Sequence, residues 1–295
     1  MEGVMMKNGE KYAVAVRKPN REIVVESSLY CGIGKSKKLR NMPVVRGVFN
    51  FIESLALGLK TMTFSASFFE EEETAEKNKK KEEFLMGVTA AASVVFAVAI
   101  FILLPYGVSL LFQKAVSSPW MISLLEGVLR LLIFLGYVAG ISLMPDIKRV
   151  YMYHGAEHKC INCIESGMEL TVENVRKSSR LHKRCGTSFL LIVMFVSILF
   201  FLFIRVDSPA LRLLLRLALI PVIAGVSYEF IRLAGRSDNA LVNLFSKPGL
   251  LLQKITTREP EDDMIEVGIA SVEAVFDWKS YIGEIGGCAP ERGRA

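Results

Sequence analysis

The chain places two of its three histidines in the string His154-Gly155-Ala156-Glu157-His158, an H-x-x-E-H pattern of the inverted-zincin type. Positions i and i+4 of a helix share a face, so both imidazoles can reach one metal ion. Glu157 stands beside them, where a general base for an activated water is needed. The third histidine follows in Leu181-His182-Lys183-Arg184-Cys185-Gly186, so all three fall within 29 residues. This predicts an open site for zinc or another divalent transition metal. His154 and His158 bind the ion, His182 or an acidic residue is the third ligand, and water completes the set. A hybrid set of His154, His158, His182 and Cys185 is a further arrangement, with four protein ligands.

Three acidic residues are candidate ligands or outer partners. Glu165 lies seven residues beyond His158 on nearly the same helical face, and Asp146 follows Pro145, where it can orient a histidine or cap a helix. Glu229 is an ionisable group inside an apolar stretch, which is costly and often functional, with an ion pair to Arg232 as the plainer alternative. A closed structural site competes for the same region. Cys160-x2-Cys163 is followed after 18 residues by His182-x2-Cys185, close to zinc-ribbon spacing. Such a site staples a loop and leaves no room for substrate; a helix across 150–166 weighs against it, because ribbons hold their first cysteine pair in a turn. Without any metal, the histidines would be hydrogen-bonding groups of a polar loop.

The elements around these residues are those of a membrane protein. Hydrophobic residues make up 52% of the chain and its mean hydropathy is +0.37. Four stretches are long and apolar enough to span a bilayer, at about Phe84 to Phe112, Trp120 to Met144, Ser188 to Ile204 and Leu213 to Ile231. The opening residues have no apolar core after a basic start, so the first span is expected to act as its own insertion signal. Residues 1–83 carry 15 Lys and Arg and the 145–186 loop carries eight, against one in the 113–119 connection. Both termini and the loop are therefore expected in the cytoplasm. Arg205, Arg212 and Arg216 fall near the outer side, where Arg216 can snorkel; Glu126 and Arg130, four apart in span two, read as an intramembrane pair. The net charge of +6 suits a membrane face near anionic lipid, and there is no nucleic-acid motif. Five cysteines, an odd number, argue for thiols or metal ligands over disulfides.

Outside the spans, alternation over 11–26 about Lys18-Pro19-Asn20-Arg21 predicts a β-hairpin. Helical spacing of Val44, Val48, Phe51, Leu55, Leu59 and Met62 predicts an amphipathic helix lying at the interface over Pro43–Phe69, with a charged linker or helix end over Glu70–Glu83. A helix over 149–166 closes at Gly167, Thr171 caps a short one through Leu181, and another opens at Pro260; the tail from Gly283 is expected to be disordered.

The chain resembles the YqhQ-like membrane proteins. The resemblance is carried by Met144-Pro145-Asp146-Ile147, Tyr153-His154-Gly155-Ala156-Glu157-His158-Lys159, Thr171-Val172-Glu173-Asn174-Val175-Arg176, Arg184-Cys185-Gly186-Thr187-Ser188-Phe189 and Thr256-Thr257-Arg258-Glu259-Pro260, over roughly Val4 to Phe276. That family is a domain of unknown function described as a predicted metal-dependent enzyme. The resemblance implies a membrane metal site at His154, Glu157, His158, His182 and Cys185 and does not demand Cys160 or Cys163.

The reading is a mainly α, polytopic protein of the bacterial inner membrane with about four transmembrane helices, a small N-terminal β-hairpin and a cytoplasmic metal-binding helical loop. Its divisions are 1–42 (β element), 43–83 (interfacial helix and linker), 84–144 (first transmembrane hairpin), 145–187 (metal loop), 188–232 (second hairpin) and 233–295 (C-terminal helix and tail). The expected function is zinc-dependent hydrolysis of a peptide or lipid-linked substrate at the cytoplasmic membrane face, by a monomer or homo-oligomer. The non-enzymatic rival is a scaffold or adaptor with a structural zinc; a metal transporter is disfavoured by the few ligand-type side chains near mid-span.

Overall fold

The computed structural model describes residues 2–30, 32, 42–69, 79–116, 118–204, 206, 208–235 and 239–287. The chain opens with strands β1 (Gly3–Asn8), β2 (Lys11–Arg17) and β3 (Ile23–Leu29), an antiparallel sheet in that order. The expected hairpin is β2–β3, with Arg17 opposite Ile23. β1 widens it, pairing Met5 with Val14. Alternate residues point to opposite faces of a strand, and both faces of β2 are used. Ala13 and Ala15 join the core of a helical lobe, while Tyr12, Val14 and Val16 meet Leu57 and Phe64.

That lobe is assembled from distant parts of the chain. Its helices, numbered with the others in chain order, are α5 (Pro145–Glu165), α6 (Val172–Lys177) and α10 (Asp262–Glu273). Tyr153, Ala156, Cys160 and Ile164 of α5 pack with Val4 and Met6 of the sheet, Val175 of α6 and Met264, Ile265, Val267 and Val272 of α10. Thr171 caps α6 by accepting from the Asn174 N–H, as expected, but α6 stops at Lys177 instead of reaching Leu181. Gly167 ends α5 with φ of +72°, a conformation in which a residue with a Cβ is strained.

Helix α1 (Val45–Ser67) is the amphipathic helix expected over 43–69. Its buried line is Gly47, Glu53, Leu57, Thr61 and Ser65, whereas Ile52, Leu55, Leu59 and Met62 face outward. Small and polar residues thus pack on protein, and the apolar stripe is turned out as interfacial burial in lipid requires.

Four helical stretches are long and apolar enough to cross a bilayer: Gly87–Leu111, Trp120–Ile141, Gly186–Phe203 and Ala210–Ala234. The first is a rod of α2 (Lys79–Val98), a π-helical turn (Ala99–Leu103) and α3 (Leu104–Leu111). Pro105 has no N–H for the Phe101 carbonyl four residues back, and Arg130 Nε takes that carbonyl at 2.9 Å. The other spans lie in α4 (Pro119–Ile141), α7 (Gly186–Phe203) and α8 (Pro209–Ala234). The expected Glu126–Arg130 pair is present at 2.7 Å. Arg216 does not snorkel. It is 2% exposed and lies 2.5 Å from the other Glu126 oxygen, because the guanidinium finds a counter-charge and the rings of Tyr106 and Phe201 inside the bundle. Arg212 donates to the Val206 carbonyl, and Arg205 lies outside the described residues.

Two elements correct the expected C-terminal region. Helix α9 (Ala240–Thr256), absent from the sequence reading, packs against α7 and exposes Leu244, Phe245 and Leu251. Helix α11 (Trp278–Gly287) continues past Gly283, where disorder was expected; residues 288–295 and the 70–78 part of the expected linker lie outside the described residues.

Candidate metal centre

His154 and His158 sit one helical turn apart on α5, with ring centroids 4.4 Å apart. Their Nδ1 atoms are held from outside the helix. His154 Nδ1 lies 2.9 Å from the Thr256 carbonyl, and His158 Nδ1 lies 2.7 Å from the Arg180 carbonyl. A carbonyl only accepts, so each Nδ1 carries the proton and each Nε2 is left for another partner. That partner is Cys185, at the N-cap of α7. Its Sγ is 3.2 Å from His154 Nε2 and accepts from the Thr187 N–H at 3.4 Å. One ligand atom from each of His154, His158 and Cys185 lies within 4.8 Å of the other two, the group that among the described residues could hold an ion.

The site needs α5 and the residue 256–259 segment to touch. A Cβ on Gly155 would lie 2.0 Å from the Arg258 carbonyl oxygen, so glycine between the histidines permits a close backbone approach. The Arg258 N–H donates to the Tyr151 carbonyl at 2.9 Å. Lys159, 4% exposed, donates to the carbonyls of Arg176 and Ser178 and pairs with Glu259 at 2.9 Å, tying α6 to the same segment. Fully buried Gln253 of α9 accepts from the His182 N–H and donates to the His182 carbonyl and to Ser188 Oγ, which fixes the approach to Cys185.

The electrostatics match a proton shared between sulfur and nitrogen. Burial opposes the thiolate, but hydrogen bonds and charge from His154 and His158 outweigh it and bring the Cys185 thiol down to about 5. Burial likewise opposes the His154 cation, yet Cys185, Glu157 and the Thr256 carbonyl raise it to about 9. Glu157 is half-buried, and desolvation lifts its carboxyl above the usual carboxylate range despite the nearby histidines. Two imidazoles with outer carbonyl partners and one thiolate form a donor set suited to zinc or a similar ion, which would displace the shared proton. The residues present fit such an ion.

The remaining candidates lie elsewhere. His182 is near, its ring 5.8 Å from that of His158, but its Nε2 is 3.3 Å from Glu165 and it stands outside the three-residue group. Glu165 also pairs with Arg184; hydrogen bonding from His182 and the Arg184 charge hold its carboxyl below the ordinary range. Asp146 is exposed in the first turn of α5, about 12 Å along the axis from His154, where it suits the helix dipole and cannot orient the imidazole. Cys160 and Cys163 do not join His182 and Cys185 in a ribbon, since α5 runs unbroken through both. Cys160 Sγ meets the position of a Gly268 Cβ, and Cys163 points to the Met168 and Glu169 carbonyls. Burial raises both thiols. Glu229 pairs with Arg46 of α1, not with Arg232, and accepts from the Val44 N–H. It anchors α1 on α8 beside the contact of Gly47 with Gly225. The sequence reading missed Thr256, Gln253 and Lys159 as supports, although two of them lie in segments that carry the family resemblance.

Residues 42–278 match DUF1385, a family described as a protein of unknown function. The chain is also 36% identical over 281 residues to the uncharacterized protein YqhQ of Bacillus subtilis (strain 168), covering 92% of this chain and 88% of that one. No solved structure matches. The family match takes in the spans, the histidine helix and the 256–260 segment together, and the chain belongs to the DUF1385 family.

Proposed function

We propose that the protein is a metal-dependent hydrolase working where its lobe meets the membrane, on a peptide or lipid-linked substrate, and that this side is the cytoplasmic one. The observation that carries the reading is the convergence, among the described residues, of the three side chains His154, His158 and Cys185 within 4.8 Å, with Glu157 on the same helix. Three ligands leave a position for chemistry, whereas closed structural sites use four. His154, His158 and Cys185 would hold the ion, zinc by preference; when bound it supplies Lewis acidity toward a carbonyl or phosphoryl oxygen. The chain's residues do the rest. The Thr256 and Arg180 carbonyls keep both Nε2 atoms turned inward. Glu157 takes a proton at its carboxylate and returns it to a leaving group, and its raised proton affinity suits that exchange.

What favours the open site over the ribbon form of the structural-zinc rival is that Cys160 and Cys163 pack in the lobe core. The test is Glu157→Gln in the purified full-length protein, assayed on a panel of ester, amide and phosphoester substrates with metal content measured in parallel. Turnover is expected to fall by about 10²–10⁴-fold while the metal stays bound. Equal turnover in the two proteins would refute Glu157 as the proton carrier, and no turnover in either would refute the hydrolytic reading.

A further inference from the structure

We infer that the substrate is a membrane lipid whose acyl chain enters a channel running from Cys185 into the helix bundle; the inference rests on the hydrolytic reading and narrows its substrate. A groove of about 450 Å³ opens beside Cys185, lined by Arg184 and Tyr228, by Asn50 and Ser54, and by the apolar Phe51, Leu55 and Leu190. A second cavity of about 190 Å³ lies deeper between the spans. The two share Phe51, Phe189 and Leu190 as lining. The Phe51 and Phe189 rings, with centroids 5.5 Å apart, touch at the boundary between them, so a chain passing from one to the other must part them. The path follows α7 from Cys185 to Ser197, twelve residues or about 18 Å. That is close to half of the ~30 Å hydrocarbon thickness, the depth of one leaflet.

The lining distinguishes a lipid tail from a peptide. In the deeper cavity the polar side chains are those of Arg130 and Ser197, and both are engaged. Arg130 donates to Phe101, Glu126 and Ser197, and Ser197 donates to the Met194 carbonyl. A peptide backbone entering there would find few partners for its own N–H and C=O groups, which an apolar medium does not tolerate. An acyl chain carries no such groups. Its head would stay at the mouth, where Arg184, half-exposed and bonded to Glu165 through one of its five N–H groups, suits an anionic headgroup. The linkage between tail and head then lies beside Cys185. Hydrolysis there breaks the bond from the acyl or phosphoryl centre to the ester oxygen; water gives its hydroxyl to the former and, through Glu157, a proton to the latter, with no redox change.

The test uses the full-length protein in phosphatidylcholine–phosphatidylglycerol vesicles doped with a phosphatidylglycerol bearing a diazirine at mid-chain. After irradiation, labelled residues are mapped by mass spectrometry. Labelling at Phe189 and Val193 is expected to saturate as the probe fraction rises. It should drop by about tenfold in Leu190→Trp and, independently, in Val193→Phe (read at Phe189), the scale on which one misplaced group is rejected in an apolar pocket. Labelling at exposed Val94–Phe96 of span one should rise linearly and ignore both substitutions. Non-saturating labels, or labels indifferent to both substitutions, would overturn the proposal. So would a transmembrane peptide carrying the same photogroup that saturates these residues in place of the lipid. The labelling needs no turnover, so it should persist in Glu157→Gln. A silent substrate panel with the channel still labelled would sink the hydrolytic reading alone.

Discussion

At the scale of single residues the site turns on the Cys185–His154 contact of 3.2 Å. With the ion removed by a chelator, the pair holds one proton in a thiolate–imidazolium arrangement over a wide range. The Cys185 thiol, depressed to about 5, favours folding in full above its unfolded value and loses that contribution as pH falls through about 5. His154, raised to about 9, has the opposite sense: its contribution is complete below its unfolded value and lost as pH rises through about 9. The metal-free protein should therefore gain stability from about pH 5 to 6.5 and then stay level to about 9, where the two slopes cancel. Alkylation of Cys185 in a Cys31→Ser/Cys288→Ser background reports the same state. Its rate should be half-maximal near pH 5, and His154→Ala should move the midpoint upward by several units. A midpoint near the ordinary thiol value in both proteins would remove the pair. Both partners were legible in the sequence, because i, i+4 histidines and the His182-x2-Cys185 spacing are side-chain signals. The carbonyls of Thr256 and Arg180 were not, because a main-chain oxygen leaves no trace in residue type.

Among the elements, the contact of α5 with the 256–259 segment sets the site. Gly155→Ala places a methyl group 2.0 Å from the Arg258 oxygen, and helix or segment must move. A loss of about 1–3 kcal/mol is expected from that overpacking. Since the Thr256 carbonyl moves with the segment, metal affinity should drop about 10–100-fold. Thermal unfolding and competitive metal titration read the two effects; an unchanged affinity beside a lowered melting temperature would show that the segment does not orient His154. The helices themselves were largely readable, α5 through its caps and the spans through their length and hydropathy. α1 was placed correctly, and its apolar stripe faces outward as a helix lying at the interface requires. α9 was overlooked because Pro248 stands in its interior, where proline ordinarily ends a helix. The Glu229–Arg46 pair spans 183 residues, and nothing local announces it.

For the whole molecule, the chain's beginning, middle and end meet in one lobe while its spans form a bundle beneath. The sheet, α5 and α10 share one core, so the N-terminal strands and the C-terminal helices stand on the same side as the His154–His158–Cys185 cluster. Sequence order hid this, since each part reads as a separate appendage. Below the lobe, Glu126 holds two arginines inside the spans. Removing it leaves two buried cations without a counter-charge, a loss of about 3–5 kcal/mol for Glu126→Leu, with partial recovery in Glu126→Leu/Arg216→Leu. Unfolding in detergent, followed by circular dichroism, should show that order. A single variant as stable as the parent would mean that the charged layer does not hold the bundle.

The most direct measurement of the central claim is elemental analysis of the full-length protein purified without chelators, beside His154→Ala/His158→Ala and Cys185→Ser. About one zinc or similar ion per chain, lost from the double variant and lost or strongly weakened in Cys185→Ser, is the expected result. A metal-free parent, or an ion that persists in both variants, would contradict a metal centre at His154, His158 and Cys185.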